Sequence, residues 1–187
     1  EEEHYMKIGI IVGSIRDGRA GAGVGTWVAE QAAGRDDAQF EIIDLKTFDV
    51  PLLTSATVPA AAKKQYESEN VQRWSATIDA CDGFIFVTPE YNHGVPGAFK
   101  NAVDSLGSEW FGKTVAFVSY GADGGVRAVE QWRQIVANFQ MLDVRAQVSL
   151  SLFTEFGADG FMPLERRAGE LAGLLDQLIT LTAKVGS

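Results

Sequence analysis

Two arginines and a serine crowd a glycine-rich stretch near the start of this chain, Gly13-Ser14-Ile15-Arg16-Asp17-Gly18-Arg19-Ala20-Gly21-Ala22-Gly23. Those residue types suit an anion. The Ser14 hydroxyl donates one hydrogen bond, and Arg16 and Arg19 offer charged, fork-shaped donors to phosphate oxygens. The helix that the stretch leads into adds free backbone N–H groups and the positive end of its dipole. The alternative is a glycine-rich turn with solvated arginines. The stretch holds no Gly-Lys-Ser/Thr, so it does not read as a nucleoside-triphosphate loop. Gly21-Ala22-Gly23, with Asp44 about twenty residues on, imitates a dinucleotide fingerprint. However, that fingerprint needs its first glycine in the tight turn directly after a strand, and these glycines stand further along.

Two more stretches carry unusual chemistry. Pro89-Glu90-Tyr91-Asn92-His93-Gly94 begins with a residue that cannot donate to a sheet, which leaves the following amides free to face a ligand. Tyr91 adds an aromatic face, and Asn92 adds both a donor and an acceptor. Together they suit a flat heteroaromatic ring with polar edges; the alternative is a turn with Tyr91 packed on a helix. Glu90 reads as a backbone donor or helix-start charge rather than a general acid, and His93 as structural or solvent-facing. Ser119-Tyr120-Gly121-Ala122-Asp123-Gly124-Gly125 combines one aromatic with glycines that let backbone approach a ligand. Tyr120 could cover a ring, and Arg127 could face the same cleft or solvent. The alternative is a plain strand-to-helix loop.

The elements needed to position these stretches are legible. Short apolar runs at Lys7–Val12, Phe40–Leu45, Gly83–Thr88, Thr114–Ser119 and Val144–Leu150 read as strands. Helical patterns fall at Val24–Ala33, Lys63–Ala80, from Pro96 through Leu106, Val126–Met141 and Leu164–Val185. Strict alternation predicts an α/β fold with parallel pairing and right-handed crossovers. Five units predict a doubly wound five-stranded parallel sheet of order 2-1-3-4-5, with helices on both faces. Ligands of such sheets bind beyond the carboxyl ends of the strands, where the strand order switches. The three unusual stretches follow the first, third and fourth strands, so they meet at that one place.

Composition narrows the classes. The chain has 187 residues and a formal net charge of −9, which disfavours nucleic acid and anionic membrane as partners. One cysteine, Cys81, permits no intrachain disulfide, and two histidines give no metal-ligand cluster. Cys81 is expected to be a small buried hydrophobe. Glu1–Met6 reads as a tail and residues 7–187 as a single domain. The acidic start lacks the basic region of a secretory leader, so a cytoplasmic location is expected.

Gly13-Ser14-Ile15-Arg16, Pro89-Glu90-Tyr91-Asn92 with the helix that follows (PEYNHGVPGAFKNAVD), and Ser119-Tyr120-Gly121 with Gly124-Gly125 resemble the NADPH-dependent FMN reductase family of flavodoxin-like quinone, azo-dye and chromate reductases. The likeness runs from about Lys7 to Val185. It implies FMN as cofactor, with NADPH or NADH as reductant. It implies that Ser14 and Arg16 hold the FMN phosphate, and Pro89, Glu90, Tyr91 and Asn92 line the isoalloxazine ring. Ser119, Tyr120 and Gly121 would close its other edge. Many members carry serine and asparagine where this chain has Arg19, Ala20, Gly21 and Ala22, so the phosphate grip must differ, with Arg19 as the candidate. The resemblance also implies a homodimer or homotetramer, and Trp110, Phe111 and Trp132 are aromatics that could serve an interface, with Trp132 also fitting ordinary core. The flavin carries the chemistry, so no catalytic side chain is expected. The acceptor stays open among quinone, azo compound, chromate and free flavin. The rival readings are an electron-carrying flavodoxin without NAD(P)H turnover and an FMN-binding sensor.

Overall fold

The computed structural model describes residues 4–187. Glu1–Glu3, half of the expected tail, lie outside the described residues. The five main strands are β1 (Lys7–Val12), β2 (Gln39–Asp44), β3 (Gly83–Pro89), β4 (Thr114–Gly121) and β5 (Leu142–Ser151). They pair in parallel in the order β2-β1-β3-β4-β5, as the alternation predicts. Between them run α1 (Gly21–Ala32), α2 (Glu69–Asp79), α3 (Gly97–Asp104) and α4 (Val126–Ala137), and α5 (Arg166–Val185) closes the chain. No helix among the described residues is long and apolar enough to cross a membrane.

The strand period of two sorts the core into two layers. Phe84 and Phe86 of β3 face Trp74, Phe99 and Trp132 of α2, α3 and α4. Ile85 and Val87 face Val24 and Val28 of α1 and Leu174 and Leu178 of α5. Every residue of β3 and of β4 is buried, which is what a central parallel strand under two helix layers requires.

Several boundaries differ from the sequence reading. The second helix starts at Glu69, not Lys63. Lys63 and Lys64 take left-handed backbone (φ 54° and 61°), and the Ser68 hydroxyl accepts the Val71 amide as the true cap. The fourth helix stops at Ala137, and Gln140 (φ 53°) turns the chain so that β5 begins at Leu142. A small hairpin, β6 (Phe156–Gly157) with β7 (Gly160–Phe161), carries no alternating pattern long enough to foresee. Trp110 is fully buried and meets Phe84 and Phe86 edge-on, so it is core, not interface. Trp132 is equally buried, and Phe111 alone of the three is exposed. Cys81 is buried as expected, and burial pushes its thiol up to about 11.

Candidate functional site

The first loop leaves β1 at Gly13, whose amide donates to the Val87 carbonyl at 3.0 Å. A Cβ at Gly13 would stand 1.9 Å from the Phe99 ring, so only glycine lets the chain turn here. Ser14 is buried, and its Oγ lies 3.3 Å from the Tyr91 hydroxyl of the second loop. Arg19 does not project freely. Its guanidinium forks onto Asp44 at 2.6 and 2.5 Å and donates to the Ser14 carbonyl at 2.8 Å. Asp44, which imitates the acid of a dinucleotide fingerprint, is thus the anchor of an ion pair at the end of β2. Arg16 is exposed; its amide donates to the Ser14 hydroxyl at 3.4 Å, and its guanidinium has no hydrogen-bond or salt-bridge partner among the described residues. The first turn of α1 has neither a side-chain cap nor an acidic residue. The loop between β1 and α1 thus carries an unpaired guanidinium, and the helix it leads into has no side-chain cap.

The second loop is a tight hairpin. Tyr91 and Gly94 exchange backbone hydrogen bonds of 3.0 Å, and Asn92 (φ 51°) and His93 (φ 67°) form the two left-handed corners of a type I′ turn. Asn and His are among the few residues that tolerate that backbone. The Asn92 carboxamide has no protein partner among the described residues, so it is available to a ligand edge. Helix α4 holds the turn. The Gln131 side chain donates to the His93 carbonyl and accepts from the Val95 amide, at 3.0 and 3.1 Å. Glu90 accepts the Arg127 and Ala128 amides at 2.8 and 3.0 Å and pairs with the Arg127 guanidinium. Glu90 is indeed a helix-start charge, but of α4 rather than the next helix in sequence. Gln131 was not foreseen; a lone amide in mid-helix gives no sequence signal.

Glu90→Ala should release the first amides of α4 and cost roughly 0.5–2 kcal/mol of stability, with Glu90→Gln milder. Thermal unfolding of the two variants checks this, and equal melting temperatures for Glu90→Ala and wild type would count against the cap.

The third loop is compact. The Ser119 hydroxyl is buried and donates to the Gly124 carbonyl at 2.6 Å. Gly124 and Gly125 both take left-handed backbone, and a Cβ at Gly125 would stand 2.8 Å from that of Ser119. Tyr120 turns away from the loop and lies buried beneath α1, where a Cβ on Gly21 would meet its hydroxyl at 2.5 Å. Burial, with Tyr91 nearby, pushes the Tyr120 phenol well above its ordinary value, so it stays protonated. Gly121 ends β4, and its carbonyl accepts the amides of Gly124 and Leu152.

Gly107-Ser108-Glu109-Trp110-Phe111-Gly112-Lys113-Thr114 has the Gly-x4-Gly-Lys-Thr spacing of a triphosphate loop. It enters a strand instead of leaving one. Lys113 donates to the Ile78 and Asp79 carbonyls at the end of α2, and Glu109 is buried on Tyr66, Ser75 and the Gly107 amide. No cradle for phosphates exists there.

The donor set at the switch point fits a flavin mononucleotide. Arg16, Ser14 and the uncapped α1 amides suit its phosphate, and the turn at Tyr91–Gly94 with the free Asn92 carboxamide suits a planar ring with polar edges. Fold and site together define a flavodoxin-like, mononucleotide-binding α/β protein. Comparison with known proteins narrows this: residues 6–155 match the family described as NADPH-dependent FMN reductase, and the chain belongs to that family. Its members are oxidoreductases that use FMN with NADH or NADPH. An NAD(P)H-dependent FMN reductase of Nectria sp is 46% identical over 129 residues, which are 67% of this chain and 64% of that protein. A quinone reductase of Pseudomonas putida is 32% identical over 145 residues, 72% of this chain and 71% of its own. Among solved structures, the flavoenzyme NAD(P)H:(acceptor) oxidoreductase FerB of Paracoccus denitrificans superposes with a TM-score of 0.76 at 23% identity, over 96% of this chain and 98% of its own. That likeness bears on the fold.

Proposed function

We propose that this chain oxidises NADPH or NADH and reduces a small planar acceptor of the quinone class. The observation that carries the reading is the arrangement at the switch point. The loop that carries the unpaired Arg16 side chain and leads into the uncapped α1 meets the polar-edged turn through the Ser14–Tyr91 contact. The balanced reaction is NAD(P)H + H⁺ + quinone giving NAD(P)⁺ + hydroquinone. The chemistry that FMN supplies is two-electron transfer between donor and acceptor.

The residues divide the remaining work. Arg16, Ser14 and the α1 amides bind the phosphate. Arg19 serves as a strut that fixes the loop on Asp44, in place of the phosphate contact expected of it where the loop departs from the family's pattern. Pro89 ends the strand, Asn92 meets the ring edge, and Tyr91 acts through its hydroxyl at the Ser14 end. Glu90 positions the turn from α4. Ser119 and Tyr120 act from beneath, by setting the path of the chain around Gly121. No side chain of the site is required as acid, base or nucleophile.

The assembly that fits this reading is a homodimer or homotetramer with a cytoplasmic location, in line with the acidic surface and the family resemblance. The test of function is a visible spectrum of FMN-loaded protein before and after NADPH under nitrogen. Rapid bleaching is expected. A flavin that stays oxidised with both NADPH and NADH would replace the reductase by the electron carrier.

A further inference from the structure

The segment after β5 carries four exposed apolar side chains: Leu152 (41% exposed), Phe153 (79%), Met162 (58%) and Leu164 (41%). Single exposed hydrophobes are ordinary, but here four fall within thirteen consecutive residues, with Leu152 and Phe153 adjacent. This segment leaves the same edge of the sheet as the three loops of the site, because β5 runs parallel to β4 with Ser151 opposite Gly121. It is joined to the third loop by the Leu152 amide, which donates to the Gly121 carbonyl at 3.0 Å. Phe153 is the next residue.

The segment is also held firmly. The Phe153 amide donates to the Ser151 hydroxyl at 3.2 Å. Glu155, fully buried, uses every backbone and side-chain polar group it has. Its carboxylate accepts the Ser151 and Leu164 amides at 2.8 and 3.0 Å and a two-pronged contact from Arg167 at 2.8 and 3.1 Å. Its carbonyl accepts the Met162 amide, and its amide donates to the Ser151 carbonyl. A buried ion pair is a costly way to gain stability, since hydrophobic side chains do as well. Here it pins both ends of an exposed apolar segment. Beneath, Phe156 and Phe161 seat the hairpin on Tyr120 and Trp27. The residues that match the family end at Glu155, so the hairpin and Met162 and Leu164 lie outside its shared part.

We infer that Phe153, with Leu152 beside it, is the wall against which the acceptor rests, and that Glu155 and Arg167 are positioning residues for it. The occupant is a planar apolar acceptor such as a substituted quinone, because an aromatic ring on a fixed support favours stacked or edge-on aromatic contact. A compact anion gains nothing from such a wall. This inference rests on the reductase reading above and deepens its acceptor half.

The test uses FMN-loaded protein reduced with dithionite, so that it does not depend on NADPH. Reoxidation is followed in the stopped flow with a hydrophobic naphthoquinone and, separately, with ferricyanide. Phe153→Ala should raise the quinone concentration for half-maximal rate roughly tenfold. It should leave the ferricyanide rate within about twofold, and Phe153→Trp should keep the wild-type quinone dependence. Equal effects on the two acceptors, or none on the quinone, would overturn the wall. Wild-type protein that discriminates in this assay but is not bleached by NADPH would keep the wall and remove the donor half of the proposed function. Protein that binds no FMN would remove both.

Discussion

Arg167→Met should lower the stability of the protein by about 3–5 kcal/mol, because it leaves the Glu155 carboxylate buried without its charge partner. For a domain of this length that is a fall of roughly 6–20 °C in melting temperature. The size of the effect should depend on pH, in a direction that can be worked out. Burial opposes ionisation of Glu155, yet the Arg167 guanidinium and the Leu164 and Ser151 amides together hold its pKa below the ordinary carboxylate value. A carboxylate lowered in the folded state contributes stability that is present above its unfolded pKa, near 4.3, and lost as pH falls through the folded value. The gap between wild type and variant should therefore be widest at neutral pH and close on acidification. Urea titrations at pH 7 and pH 4 measure it. A gap that is constant across this range, or one that grows in acid, would mean the pair is not the source of the stability.

FMN affinity should fall about 10- to 150-fold in Arg16→Ala, the equivalent of about 1.5–3 kcal/mol for a hydrogen bond to a charged group. Arg16→Lys should lose less, since it keeps the charge but not the fork. Riboflavin, which lacks the phosphate, should bind wild type and Arg16→Ala alike. Fluorescence titration with both flavins makes the comparison. Unchanged FMN affinity, or an equal loss for riboflavin, would remove Arg16 from the phosphate site. Because the Arg16 side chain has no protein partner among the described residues, its removal leaves no buried group stranded, and the loss should be specific to the ligand.

The sheet order and the meeting of three loops were legible because they follow from patterning: apolar runs of strand length, each followed by a helical period, admit little but parallel pairing. What the sequence does not carry is which donors are already used. Arg16 and Arg19 are the same residue type three positions apart, and only the placement of Asp44 at the end of β2 separates the free cation from the strut. Glu90 reads as a helix-start charge, but its helix is thirty-six residues further along, reached through the adjacency of β3 and β4. The late start of α2 had local signals on both sides, helical composition from Lys63 and a capping serine at Ser68. Two left-handed lysines decided between them. Trp110 illustrates the opposite failure, since an aromatic between turns looks like a surface anchor until β3 supplies Phe84 and Phe86 to bury it.

The sequence offers a turn at Asn92 and His93 but not its left-handed backbone. Neither residue is glycine, and the left-handed corners are stabilised from outside, by Gln131 on α4. Backbone of this kind is held only where the surroundings over-determine it, and it is concentrated at functional positions.

Gly13 and the second loop rest on the same aromatic stack. The Phe99 ring that fills the space of the absent Gly13 side chain lies 4.7 Å from Trp132, and the Trp132 indole donates to Thr88 one residue before Pro89. The first and second loops, the proposed phosphate and ring ends of the site, therefore share one foundation. Drift in this core has a cost that a melting curve alone would understate. An exchange at Phe99 or Trp132 that the fold tolerates should still shift the two loops relative to one another, so FMN affinity should be more sensitive to these aromatics than the melting temperature is.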